Sequence, residues 1–214
     1  EVELECIRPD MEIHYTTDGS EPTATSPLYE KIVPVKEALT LKGAIFAHGR
    51  QMGKTLILPV RWNLATAKPV LGTNPTEKLL TNGIRGSLKY SDFEWCSWAD
   101  NDSVSFTIDL LKLEMLNTLI LGCITNNGMA IHKPASVRVE VSDDNSKFRE
   151  AVVQSFTSEE IFREGNFIEN LSLKLGGTQA RYVRVTAKGP GVCPASHVRP
   201  GQTSRIFFDE VMLE

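Results

Sequence analysis

The chain has 214 residues, 41% of them apolar, with 15 further glycines, enough apolar side chain for one large domain or a small one beside a medium one. Its 23 basic and 27 acidic side chains leave a net charge of −4, which excludes both the basic field that nucleic acid requires and an acidic tail. Purely apolar runs stop after a few residues, as at 119–121, far short of the ~18 that span a bilayer as a helix.

The chain opens on Glu1 rather than Met and shows no signal peptide, so we expect a piece of a longer protein whose targeting lies elsewhere. Residues 13–23, IHYTTDGSEPT, read as a strand entering a tight turn, since Gly19 tolerates positive φ and Asp18 can bond its own backbone. Tyr29, Leu39, Leu41 and Ala44 carry the pattern into later strands. This first unit, residues 1–62, is near the lower size limit for a core without disulfides. Residues 49–55, GRQMGKT, end like a phosphate-binding loop but have His48 where its first glycine would stand. The rhythm breaks over 63–75, where two prolines, a glycine and small polar residues mark a linker. Alternation of period two then returns. Val104, Phe106 and Ile108 alternate with Ser105, Thr107 and Asp109; Val137, Val139 and Val141 with Arg138, Glu140 and Ser142; Val183, Val185 and Ala187 with Tyr182, Arg184 and Thr186. One short helix fits Thr157 to Arg163, and residues 207–213 read as a closing strand. Short strands between Gly, Pro, Asn and Asp turns predict an all-β chain of antiparallel β-sandwiches, one over 1–62 and one over 76–214.

The four cysteines, Cys6, Cys96, Cys123 and Cys193, form no CxxC pair and no Cys/His cluster with zinc spacing, which argues against a structural zinc site. They are too few for a disulfide scaffold and read as buried free thiols. A Cys96–Cys193 bridge between two loop-like stretches stays open.

Within the first unit the strings YTTDGSEPT, SPLY, LTLKGAIFAHG and MGK resemble the small β-sandwich, of fibronectin or immunoglobulin type, that follows the catalytic barrel of chitobiases and other β-N-acetylhexosaminidases. Similar units follow α-L-fucosidase barrels. In the second unit LTNGIRG (80–86), Trp95, Trp98, FTIDL (106–110), Pro134, Val139, Ser142, YVRV (182–185) and FFDEV (207–211) resemble the discoidin, or coagulation factor 5/8 type C, family of β-sandwich jelly rolls, which includes many carbohydrate-binding modules. The loop Cys193-Pro194-Ala195-Ser196-His197 is similar to one in discoidin domains attached to family-20 hexosaminidases, with Ser196 and Arg205 where that family often has Trp. These resemblances imply a non-catalytic accessory region of a secreted, periplasmic or cell-surface glycoside hydrolase, a β-N-acetylhexosaminidase ahead of an α-L-fucosidase. Its partners would be the upstream catalytic domain of the same chain and glycans with hexosamine- or galactose-type ends. Two other readings stand beside it: a structural spacer without ligand, and an adhesion module for protein or lipid, for which only Phe93, Met129 and Ile131 offer apolar loop tips.

Asp209-Glu210 resembles the adjacent catalytic pair of family-20 hexosaminidases, but a strand sends neighbouring side chains to opposite faces, so no catalysis is expected. The resemblance also implies one structural Ca²⁺, held by Asn82 (where the family usually has Asp), Ser87 and Glu210, since calcium takes six to eight oxygens from bent loops. Sugar binding needs aromatic platforms and planar polar partners. Three loops offer them: Tyr90 and Trp95 as platforms, and Asn127, His132, His197 and Arg199 as hydroxyl partners, expected to meet at one end of the jelly roll. Trp98 is expected in the core, and His14 and His48 in solvent. GxSxG, HExxH, P-loop and GxGxxG motifs are all absent.

Overall fold

The computed structural model, which describes residues 2–8, 10–98 and 103–214, divides the chain into two units, Glu1–Trp62 and Asn63–Glu214. In the first, β2 (Leu39–Ala47) pairs antiparallel with β1 (Glu12–Thr16), β3 (Arg50–Gln51) and β4 (Leu56–Val60). Leu41, Ala44 and Phe46 of β2, with Val33 and with Val60 of β4, are all at most 4% exposed. Gly19 takes the positive φ of 79° that the turn demands, and Asp18 accepts from the Ser20 amide at 3.0 Å. His48 lies in solvent. His14 does not: it is buried, with Nδ1 2.6 Å from the Ser26 carbonyl and its ring edge-on to Phe46. Its place on β1 opposite Ala44 turns it inward.

The second unit is one antiparallel network in the order β6 (Cys96–Trp98), β11 (Ile206–Leu213), β7 (Ser103–Asn126), β10 (Asn166–Lys188), β8 (Ser136–Ser142), β9 (Arg149–Ser155). The short β5 (Val70–Leu71) pairs with β7. β7 and β10 stay paired over their length, with register shifts near Lys174–Thr178 and Ala180–Tyr182. These breaks let the network curl until both its ends face one core. Trp98 of β6, Phe106 of β7, Val139 of β8, Val185 of β10 and Phe208 of β11 share a single hydrophobic cluster. Each such side chain contributes roughly 1.5–3 kcal/mol by leaving water. The helix is a single turn, α1 (Ser158–Ile161), held by a capping box in which Thr157 and Glu160 satisfy each other's backbone amides.

The alternating runs of the sequence are the buried faces seen here, and both units are built of antiparallel strands, as the all-β expectation has it. Two details differ. The stretch 63–75 is not a linker but the opening of the second unit. Leu64 N–H donates to the Leu213 carbonyl, Asn63 Oδ1 accepts from Leu213, and Ala65 is fully buried in the core. Ala65 and Thr66 are buried there, while Pro69 and Pro75 face solvent. All four cysteines are free, so no Cys96–Cys193 bridge forms, and burial pushes the Cys96 thiol up to about 12.

Candidate functional site

A 3-10 turn, Glu77–Thr81, ends at Asn82, whose Oδ1 accepts from Ile84 N–H at 2.8 Å and whose Nδ2 donates to Glu94 at 2.9 Å. Gly83 follows with φ 79°, which aims its N–H at Glu210 Oε2, 3.1 Å away. Arg85 Nε reaches Asp209 Oδ2 at 2.6 Å, Gly86 N–H reaches the same oxygen at 3.0 Å, and Glu210 N–H reaches Oδ1 at 2.7 Å. Both acidic residues are fully buried. The divergence expected of strand neighbours is therefore corrected: a register shift between Phe208 and Val211 lets both carboxylates turn to one loop, 83–86. They converge on backbone amides and a guanidinium, with no opening for substrate, so the pair braces the fold.

Burial raises the pKa of Asp209 against the opposing pull of Arg85. It pushes Glu210 to about 9, against the Gly83 N–H. Glu210 Oε1 makes no well-formed hydrogen bond, although the Asn63 side chain pulls on the carboxylate, a deficiency that a proton or a cation relieves. Asn82 faces the same loop, whereas Ser87 is exposed, its amide donating to Asp92 and its carbonyl accepting from Trp95 Nε1 at 3.1 Å. Glu210 Oε1 and Asn82 Oδ1 are oxygens, the donor type a hard cation takes.

The residues expected to bind sugar divide into two groups. Trp95 is 5% exposed and packs with Ile124, Ile131 and Phe207. It is a core residue, corrected from platform, because Gly86 has no Cβ where the indole lies. Tyr90 is half-buried, edge-on to Phe207 in the same cluster. Loops 87–95 and 126–132 thus do meet, but over an apolar floor. His132 is fully buried and offers nothing to a glycan; burial, then His197, pushes its pKa down to about 4. Asn127 and His197, each 9% exposed, line a cavity of about 100 Å³ with Phe162, Glu164, Pro194, Ser196 and Val198. Asn127 Oδ1 accepts from Gly165 N–H at 3.0 Å, so part of its capacity is spent on the loop. Arg199 is exposed nearby in sequence, its side chain bonded to Gln202 at 3.2 Å.

Sequence reasoning missed Glu164 and Phe162, which the turn after α1 delivers to the cavity; the capping box was the available signal for that turn. It also missed that His132, Cys193 and His197 come together, since His132 lies far from the other two along the chain. Apart from these the first unit carries a larger hollow of about 360 Å³, lined by Ile7, Met11, Ile45 and Met52 together with Glu5, Cys6 and Arg8.

Comparison with known families follows this division into units. The model described as chitobiase/beta-hexosaminidase C-terminal domain matches residues 1–56. The F5/8 type C domain model matches residues 65–198, more than half of the chain. The chain belongs to the F5/8 type C family. The match stops short of β11, yet β11 is the strand that supplies Asp209 and Glu210 to this F5/8 type C domain. Solved structures similar to the chain include CpGH89CBM32-6 from Clostridium perfringens, at 18% identity over 72% of this chain and 98% of that one, TM-score 0.47. A fucose binding module from Streptococcus pneumoniae is similar at 18% identity over 72% and 97%, TM-score 0.43. The C-terminal domain of a chitobiase from Bacteroides fragilis is similar at 16% identity over 64% and 78%, TM-score 0.38. No curated protein matches the chain. Among the described residues no helix is long and apolar enough to cross a membrane.

Proposed function

We propose that the chain is a non-catalytic accessory region of a secreted or cell-surface glycoside hydrolase, a β-N-acetylhexosaminidase first, whose F5/8 type C domain holds the enzyme on glycan. The cavity lined by Asn127, Glu164, Ser196, His197 and the Phe162 ring carries this reading. It sets planar polar groups beside an aromatic wall at a loop end, as sugar hydroxyls and C–H faces require. Arg199, exposed two residues beyond His197, is a further hydroxyl partner in this reading, and Ser196, where a Trp is common in similar loops, leaves the space open. At about 100 Å³ the cavity is below the ~300 Å³ of ordinary ligand pockets and admits one edge of a terminal hexosamine or galactose. Affinity near 1 mM, about −4 kcal/mol, follows for the isolated module. Tethering to a catalytic domain makes such weak binding useful by raising local substrate concentration.

The test is NMR titration of the full chain with amino-sugar and galactosyl oligosaccharides, alongside Glu164→Gln and Arg199→Ala. Shifts centred on 162–165 and 194–199, weakened in both variants, are expected. Shifts elsewhere, or none at tens of times ~1 mM sugar, leave a structural spacer as the function. We further propose that one Ca²⁺ is held at Glu210 with Asn82 and Ser87, supported by Glu210 Oε1, which makes no well-formed hydrogen bond. At a hundred times its dissociation constant such an ion adds about 2.7 kcal/mol, so melting with Ca²⁺ and with chelator should differ by several degrees. Identical curves remove the ion.

A further inference from the structure

The loop that follows β10 is fixed by its own backbone. Cys193 N–H donates to the Gln202 carbonyl at 2.9 Å, Gly201 N–H to the Cys193 carbonyl at 3.0 Å, and His197 N–H to the Pro194 carbonyl at 3.0 Å. It brings Cys193 and His197 against His132, itself tied by its N–H to the Arg205 carbonyl at 3.1 Å. One ligand atom from each of the three lies within 4.8 Å of the others, and all three residues are buried. Both ring nitrogens of His132 and Nε2 of His197 make no well-formed hydrogen bond, the Ile161 backbone acting on the His132 ring only as the smallest influence on its pKa. The imidazoles meet edge to face at 5.0 Å, with Phe162 closing the other side of His132 at 5.0 Å. Buried polar atoms are almost always satisfied, so three nitrogens without a well-formed bond beside one sulfur are an incomplete site.

The donor set names the missing partner. One sulfur and two imidazoles are wrong for Ca²⁺ or Mg²⁺, which take oxygen, and suit a borderline-soft ion. We propose that Cys193, His132 and His197 bind one Zn²⁺, with the fourth position facing the small cavity that His197 also lines. Three protein ligands with an open fourth position is the arrangement of a zinc that accepts water or an exogenous donor. On binding, the Cys193 S–H bond breaks, its proton leaves to solvent and the thiolate pair forms the Zn–S bond; the histidines ligate as neutral rings. Ser204 Oγ, 3.4 Å from the sulfur, is placed to donate to that thiolate. One local change accompanies binding. His197 Nδ1 now accepts from Arg199 N–H at 3.0 Å, which puts the neutral ring's proton on Nε2. Ligation through Nε2 moves that proton to Nδ1, and ligation through Nδ1 replaces the amide, so either way Arg199 N–H is released.

The test is Co²⁺ titration of the tag-free 214-residue chain carrying Cys6→Ser, which removes the half-exposed thiol. One equivalent should give the visible bands of a tetrahedral ion and a near-ultraviolet thiolate-to-cobalt band. Zn²⁺ should displace it, saturating Ca²⁺ should not, and the Arg199 amide resonance should shift. Cys193→Ser should abolish the thiolate band. His132→Phe, which keeps an aromatic ring beside Phe162 and whose folding is checked by melting without metal, should weaken Zn²⁺ at least by the ~10–100-fold seen when even an outer partner is lost. A chain that takes up no stoichiometric Co²⁺, or shows no thiolate band, overturns the proposal. So does unchanged affinity in both variants.

Discussion

Arg85→Met isolates the buried ion pair under the second unit. The guanidinium lies 2.6 Å from Asp209, with 16% and 0% of the two side chains exposed. Removing one partner of such a pair costs about 3–5 kcal/mol, because the other charge stays buried. Asp209 keeps the Gly86 and Glu210 amides at 3.0 and 2.7 Å, so the lower end, about 3 kcal/mol, is expected. For a unit of this size that is roughly 6–12 °C in melting temperature, read by calorimetry as a drop in the second unit's transition. The loss depends on pH. Burial already raises Asp209, and without Arg85 its folded pKa rises further above the unfolded value. The variant is then closest to the parent below the unfolded pKa, and its deficit grows as pH rises through the folded one. Melting at pH 4.5 and pH 8 reads this directly, and Asp209→Asn added to Arg85→Met should recover part of the loss at pH 8. A shift under ~2 °C at pH 8, or one independent of pH, refutes the argument.

Glu210, with its folded pKa near 9 against 4.5 unperturbed, makes the metal-free chain lose stability as pH climbs from about 4.5 to 9; Glu210→Gln should flatten that slope in pH-dependent melting, and saturating Ca²⁺ should flatten it in the parent. Gly86→Ala puts a Cβ into the Trp95 indole and should cost about 1–3 kcal/mol, with a changed near-ultraviolet circular dichroism of Trp95. Nitrophenyl N-acetylglucosaminide should not be turned over, because Asp209 and Glu210 are sealed from substrate; turnover abolished by Glu210→Gln would contradict that.

The strands were legible because burial on one face writes itself into period two: Val104, Phe106 and Ile108 are all at most 4% exposed. The same rule fails along 111–115, where Leu111, Leu113 and Met115 are 50–54% exposed, since alternation records which residues share a face and not whether that face is covered. Family resemblance located the loops but misjudged their depth. Trp95 looks like a platform until Gly86 is seen to make room for it. The pairings that define the sites were invisible for a plainer reason: Arg85 and Asp209 are 124 residues apart, and His132 joins Cys193 and His197 only after β7 and β10 have paired. Spacing rules for metal motifs sense local sequence and cannot register a ligand brought in by a sheet.

All eight residues of β11 are buried, and the strand sits between β6 and β7 rather than at an edge. The strand of this sheet that is last in chain order is therefore one that the sheet must close around. While the chain is being synthesised, β7, β8 and β10 can pair, but the groove between β6 and β7 stays vacant until Leu213 has cleared the ribosome. An aggregation-prone edge is exposed for that interval. Truncation by a few residues at this end should leave the groove unfilled.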